Sequence, residues 1–214
     1  MSDQFPIQGF DDWAESYDAA VTGDGFPFAG YQEVLDKVVE LAEPHPGMAV
    51  LDLGAGTGNL AARFGALGCE LWCTDFAPAM LEKAKAKLPQ ARFIQHDLRS
   101  GPPPELDRRM DRIVSAYVFH HFDLDEKIRI IHDLAGRLTP GGWIVLADIA
   151  FPDMPSLEQV RIAAGEEWEQ EFYWLASEAL PALERAGCQV AYQQVSLCAG
   201  VFKIVPAVRI RLPK

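Results

Sequence analysis

The segment Val50-Leu-Asp-Leu-Gly-Ala-Gly-Thr-Gly-Asn-Leu60 constrains the fold of this chain more than any other. It is a short apolar run that ends in an acid and then breaks into alternating glycines, Gly54, Gly56 and Gly58. The run predicts a buried strand, and Leu60, Phe64 and Leu67 behind it recur at helical spacing and predict a helix closed by Gly68. Glycine admits positive φ and lets main chain approach a ligand without an intervening Cβ, while the first turn of the helix offers unpaired N–H groups. Such a turn cradles something polar. The dinucleotide fingerprint G-x-G-x-x-G needs a third glycine where this chain has Asn59, so the match to an NAD site is imperfect.

The rest of the chain alternates in the same way. Apolar positions Val34, Leu35, Val38, Leu41 and Ala42 predict a helix from Tyr31 that Pro44-His-Pro46-Gly47 stops before the first strand. Glu70 to Thr74 predicts a second strand ending in Asp75, and Ala77-Pro78 opens a helix with Met80, Leu81, Ala84 and Leu88 on one face. Ala91 to His96 is a third strand ending at Asp97, Gly101 to Pro104 a loop, and Arg112 to Ser115 the start of a fourth strand. Asp123 with Glu126 forms a capping box for a helix whose core face is Ile128, Ile131, Leu134 and Leu138. Pro140-Gly-Gly142 turns into a fifth strand, Trp143 to Ile149. After a helix from Ser177 to Ala186, Gln189 to Leu197 and Val201 to Ile210 read as a hairpin around Ala199-Gly200. Strands alternating with helices predict an α/β, doubly wound, mostly parallel sheet with ligands at the carboxyl ends of its strands, where the glycine turn, Asp75 and Asp97 converge.

Composition narrows the partners. A chain of 214 residues, 49% apolar, suits a single domain spanning 1–214. A net charge of -12 with no basic stripe would repel a phosphate backbone and disfavours nucleic acid. Cys69, Cys73, Cys188 and Cys198 include no C-x-x-C pair, which reads as reduced thiols in the cytoplasm. The start, Met-Ser-Asp-Gln-Phe-Pro, has neither a basic nor an apolar stretch, and no window approaches the ~20 apolar residues of a membrane span.

The run of Asp52, Gly54, Gly56 and Gly58 resembles motif I of the class I S-adenosylmethionine-dependent methyltransferases. The likeness extends from Trp13-Ala-Glu-Ser-Tyr17-Asp to the closing hairpin and is nearest to small bacterial methyltransferases of the YrrT type. It implies a Rossmann-like sheet of seven strands with an antiparallel C-terminal strand, and S-adenosylmethionine as cofactor. It implies that Gly54 and Gly56 face the methionine portion of the cofactor and that Asp75, with Phe76 beside it, meets the ribose hydroxyls. Asp97 and Leu98 match the adenine-binding position, and Ala116, next to Ser115, lies at the tip of the fourth strand. Asp52 would order the loop or meet the methionine ammonium through water. Tyr17 belongs to an N-terminal segment, residues 1–30, that in relatives folds over the cofactor as a lid.

The acceptor side is less defined. His120 is a candidate for acceptor binding or proton removal. No metal site is expected, because adjacent histidines point in different directions and no third ligand is evident. Residues 151–174, with Glu166-Glu167-Trp168 and Glu171-Phe-Tyr173-Trp174, fall where the family builds acceptor pockets. Acidic and aromatic lining would favour a cationic or amine-bearing acceptor, against the plainer reading of a solvated acidic helix with an aromatic core face. Ser115-Ala-Tyr-Val-Phe-His-His121 lacks the Asn/Asp-Pro-Pro-Tyr motif of amino-directed DNA methyltransferases. The expected function is therefore methyl transfer to a small molecule. Methyl transfer to RNA or protein, a non-catalytic cofactor-binding protein and an NAD-dependent oxidoreductase are the alternatives, and the oligomeric state is open.

Overall fold

A computed structural model describes Gly9 and residues 14–207, so Trp13 and the residues after Ala207 lie outside it. Helices α1 (Tyr17–Ala20) and α2 (Tyr31–Ala42) precede β1 (Ala49–Leu53). Then come α3 (Asn59–Ala66), β2 (Glu70–Asp75), α4 (Pro78–Lys87), β3 (Arg92–Gln95), β4 (Met110–Ala116), α5 (Leu124–Ala135) and β5 (Leu138–Phe151). The chain continues through α6 (Met154–Ala164), β6 (Trp174–Leu175), α7 (Ala176–Arg185), β7 (Cys188–Gln194) and β8 (Ala199–Pro206). The sheet order is β3-β2-β1-β4-β5-β8-β7, with β6 added to β5. The pairs among β1 to β5 are parallel, and β8 runs antiparallel to both of its neighbours. This is the expected doubly wound sheet with its antiparallel C-terminal strand, plus the two-residue β6.

Successive strand residues face opposite sides, which sorts the core into two layers. Val50, Cys73, Val114 and Val145 pack on the side of α2 and α3. Leu51, Trp72, Ile113 and Ile144 pack on the side of α5 and α7. In α2, Val34, Leu35 and Val38 are fully buried, each contributing about 1.5–3 kcal/mol by leaving water. The predicted capping box opens α5, with the Glu126 N–H donating to Asp123 Oδ1 at 2.9 Å and the Asp123 N–H donating to Glu126 Oε2 at 3.2 Å.

Five readings of the sequence need correction. Leu67 is 44% exposed, because α3 ends at Ala66 before a further apolar turn can face the sheet. The buried face of α5 is Lys127, Ile130, Ile131 and Leu134, while Ile128 is only partly buried and Leu138 already belongs to β5. Pro140-Gly-Gly142 lies within β5 as a bulge, where Leu138 pairs with Met110 and Trp143 with Arg112. A Cβ at Gly142 would stand 2.9 Å from the Asp111 carbonyl oxygen, which accounts for glycine there. Strand β3 stops at Gln95, and Asp97 instead caps a 3₁₀ turn over Leu98–Ser100. Ala199-Gly200 sits inside β8 and the turn falls at 195–198; Gly200 reflects close packing, since a Cβ there would meet the Tyr192 ring at 2.5 Å.

Candidate active site

The glycine turn joins β1 to α3 at the carboxyl end of the sheet. Gly54 and Gly56 adopt φ of +63° and +53°, which side chains disfavour. Their surroundings differ. A Cβ at Gly54 would lie 2.3 Å from Val118 Cγ2, whereas one at Gly56 would meet nothing within 4 Å. Gly58 allows close packing on α4, with its Cβ direction 3.2 Å from that of Ala84. Tyr17, Tyr31, Asp52, Gly54, Gly56 and Ala116 line a cleft beside the turn. Its free space is about 20 Å³, roughly room for one water.

Asp75 closes β2 and reaches the turn. Its Oδ2 accepts the Gly56 N–H at 2.8 Å and its Oδ1 the Ala77 N–H at 2.9 Å, so it orders the loop, with the residue 7% exposed. Asp97 accepts from the Arg99 N–H at 2.9 Å and forms an ion pair with the same guanidinium at 2.8 Å. Phe76 and Leu98 are half-buried beside these two acids.

Asp52 is 1% exposed, and its Oδ2 has no hydrogen-bond partner among the described residues. Burial, helped by the charge of Asp75, raises its carboxyl to about 8 against the pull of the Ala61 N–H. Among the described residues two further buried side-chain atoms find no partner, Tyr117 Oη and Trp168 Nε1. All three lie along the 17–31 segment. Asp52 lines the cleft with Tyr17 and Tyr31, Tyr117 stacks on Tyr31 at 5.4 Å, and Trp168 stacks on Phe26 at 5.1 Å. Tyr117 also takes φ of +59°, a strained setting for an aromatic residue directly after Ala116.

The 17–31 segment is tied to the turn by a charged cluster. Asp18 accepts from Thr57 Oγ1 at 2.6 Å, Asn59 Nδ2 at 3.0 Å and Lys87 Nζ at 2.6 Å. Asn59, where a dinucleotide fingerprint has glycine, thus serves α1 rather than a phosphate. Asp18 follows Tyr17 directly, but its partners in the glycine turn and on α3 and α4 are visible only in three dimensions.

A second cluster stands beyond β4. His120 Nδ1 meets Asp148 Oδ1 at 2.6 Å, and Asp148 Oδ2 accepts the Trp174 Nε1–H at 3.0 Å. Glu171 lies 3.6 Å from His120 Nε2 and 3.1 Å from His121 Nδ1. The premise against a metal site therefore fails, because both rings face one carboxylate and Glu171 is a third donor. Burial works to lower His120, but the Asp148 charge and hydrogen bond outweigh it and raise the group above its ordinary value. Asp148 escaped sequence reasoning, although a carboxylate inside the otherwise apolar Trp143 to Ile149 is a legible signal.

The 151–174 segment mixes both readings made for it. Helix α6 buries no residue, and Glu166 and Glu167 are exposed. Phe26, Phe151, Trp168 and Tyr173 pack on one another, with Trp168 and Tyr173 edge to face at 4.9 Å. No helix of the described residues is long and apolar enough to cross a membrane.

Residues 50–142 match the family model described as a methyltransferase domain. An uncharacterized methyltransferase of Geobacillus kaustophilus is 31% identical over 210 residues, covering 92% of this chain and 94% of the relative. The chain belongs to the methyltransferase family. A second uncharacterized methyltransferase, from Oceanobacillus iheyensis, is 31% identical over 202 residues, covering 89% of this chain and 92% of its own length. Among solved structures, the complex of DhpI with S-adenosylhomocysteine has a TM-score of 0.73 at 18% identity and covers 95% of this chain and 96% of its own. Magnesium protoporphyrin IX methyltransferase from Synechocystis, also with S-adenosylhomocysteine bound, has a TM-score of 0.72 at 19% identity and covers 94% and 98%. These two likenesses place the fold of this methyltransferase.

Proposed function

We propose that this methyltransferase takes a methyl group from S-adenosylmethionine in the cleft under Tyr17 and passes it to a small-molecule acceptor. The observation that carries the reading is the buried, unpartnered Asp52 Oδ2 beside Gly56, whose Cβ direction is open. That pair suits the methionine end of the cofactor, since its ammonium would give Asp52 a cationic donor and Gly56 would admit its chain. Each Asp75 oxygen accepts a main-chain N–H, and because a carboxylate oxygen can accept more than one donor the group suits a ribose diol. Asp97 with Leu98 would take the adenine, and Phe76, Gly54, Ala116 and Tyr17 would line the remainder.

When bound, the cofactor supplies a methyl on a positively charged sulfur. The protein has then to align donor and acceptor and exclude water. Residues 1–30 act as the lid, 151–174 as the acceptor-pocket insertion, and 1–214 as one domain. Tyr17, Phe28, Tyr31 and Tyr117 form the aromatic wall that shuts out solvent. An amine acceptor needs only to be neutral, whereas a hydroxyl acceptor would give its proton to His120 Nε2. The charge of -12 and the half-buried Trp168 and Tyr173 support a small, amine-bearing acceptor, and the four free cysteines support a cytoplasmic setting.

The test supplies methyl-labelled cofactor with a small-molecule extract, RNA or protein in separate arms. Label in the small-molecule arm supports the reading, and label confined to RNA or protein overturns the acceptor class.

Because a cofactor of this size exceeds the cleft, α1 must move to admit it. Asp18→Ala removes three hydrogen bonds across that joint. Asp18 is half-exposed, so the loss is about 1 kcal/mol, and cofactor association and dissociation should both quicken by roughly fivefold. Stopped-flow binding reads both rates, and unchanged rates would show that this contact does not hold the lid.

A further inference from the structure

We propose that His120 Nε2, His121 Nδ1 and the Glu171 carboxylate bind a divalent transition metal, with zinc the cation this donor set fits best. The three donor atoms lie within 4.8 Å of one another. In a tetrahedron with bonds of about 2.0–2.2 Å, ligand atoms stand about 3.3–3.6 Å apart. Glu171 Oε2 stands 3.6 Å from His120 Nε2 and Glu171 Oε1 stands 3.1 Å from His121 Nδ1, so small side-chain shifts would bring one oxygen and both ring nitrogens to that spacing. Among the described residues no other set of three such side chains converges.

The supporting shell is built as metal sites require. His120 presents Nε2 because its Nδ1 is held by Asp148, which is fully buried and fixed by Trp174 Nε1 and by the Ile149 N–H at 2.9 Å. A histidine whose other nitrogen donates to a carboxylate is the usual arrangement around a ligating imidazole, since it sets both tautomer and ring orientation. With Nδ1 donating to Asp148, Nε2 is the ring nitrogen that faces Glu171 and the one a metal would take. Glu171 is held in place from both sides of Phe172. The Phe172 N–H donates to the His120 carbonyl at 2.9 Å, and the Phe172 carbonyl accepts from Lys127 Nζ.

Two imidazoles and one carboxylate select a borderline cation such as zinc over magnesium or calcium, which prefer all-oxygen shells. Three protein ligands leave a fourth position open, as catalytic zinc sites do. The inference stands independently of methyl transfer. If both hold, His120 would be a ligand rather than a base, and a hydroxyl or thiol at the fourth position would have its pKa lowered by the metal and release its proton to solvent water.

The test is calorimetric titration of chelator-treated full-length protein with zinc chloride, repeated on Glu171→Gln and His121→Ala. Melting temperature and S-adenosylmethionine affinity serve as fold controls. Both substituted side chains lie at the edge of the cluster, and neither is part of the sheet. The expected result is one zinc per chain in the unsubstituted protein, with affinity falling about tenfold or more in each variant. Cobalt(II) in place of zinc should show visible bands without a thiolate charge-transfer band, which separates this site from the four cysteines. No binding, or binding that survives both substitutions, would overturn the proposal. Zinc binding without S-adenosylmethionine binding would leave the metal site standing and remove the cofactor reading, and the converse would remove only the metal.

Discussion

Asp75→Asn is expected to weaken S-adenosylmethionine binding by roughly ten- to 150-fold, the equivalent of about 1.5–3 kcal/mol for a charge-assisted hydrogen bond. The same substitution should lower stability. Both carboxylate oxygens accept main-chain N–H groups, so an amide nitrogen placed at either position faces another donor. One bond is lost, from Gly56 or from Ala77, at a cost of about 1–3 kcal/mol. Calorimetry and thermal melting separate the two effects. A lower melting point with unchanged affinity would make Asp75 an organiser of the glycine turn and nothing more.

The second large effect falls on Asp148. Asp148→Asn is expected to destabilise the protein by about 3–5 kcal/mol, because it strips the counter-charge from a buried cluster. Its pH dependence carries the sharper signature. Burial works to raise Asp148, but the charge and hydrogen bond of His120 outweigh it and hold the group below its ordinary 3.8. Its contribution is therefore present above 3.8 and is lost as pH falls through the lowered value. His120 is raised above its ordinary 6.5, so its contribution is complete below 6.5 and is lost as pH rises through the raised value. In the presence of chelator the pair should stabilise the native protein most between about pH 4 and 6.5, and the asparagine variant should flatten both limbs. Melting temperature against pH for the two proteins checks this, and parallel curves would contradict it.

Much of this was legible in the order of residues. The strand-turn-helix at Val50 to Leu60, the proline opening α4 and the capping box at Asp123 are local patterns, and local patterns survive into the fold. Strand ends and register were less legible. Ala199-Gly200 and Pro140-Gly-Gly142 read as turns because glycine marks turns, yet Gly200 makes room for the Tyr192 ring and Gly142 for the Asp111 carbonyl. The convergence of His120, His121, Asp148 and Glu171 was not legible at all. Those residues come from three separate stretches of chain, and only the meeting of β5 with the segment ahead of β6 brings them together. The same holds for Asp18, Thr57, Asn59 and Lys87, whose partnership depends on how α1 crosses the glycine turn.

The most direct measurement is isothermal titration of the purified protein with S-adenosylmethionine, S-adenosylhomocysteine and NAD in parallel, since it probes the cleft without needing the acceptor. The account predicts that the two adenosyl ligands bind at one site per chain and that NAD does not. Binding of NAD alone, or of none of the three, would contradict it.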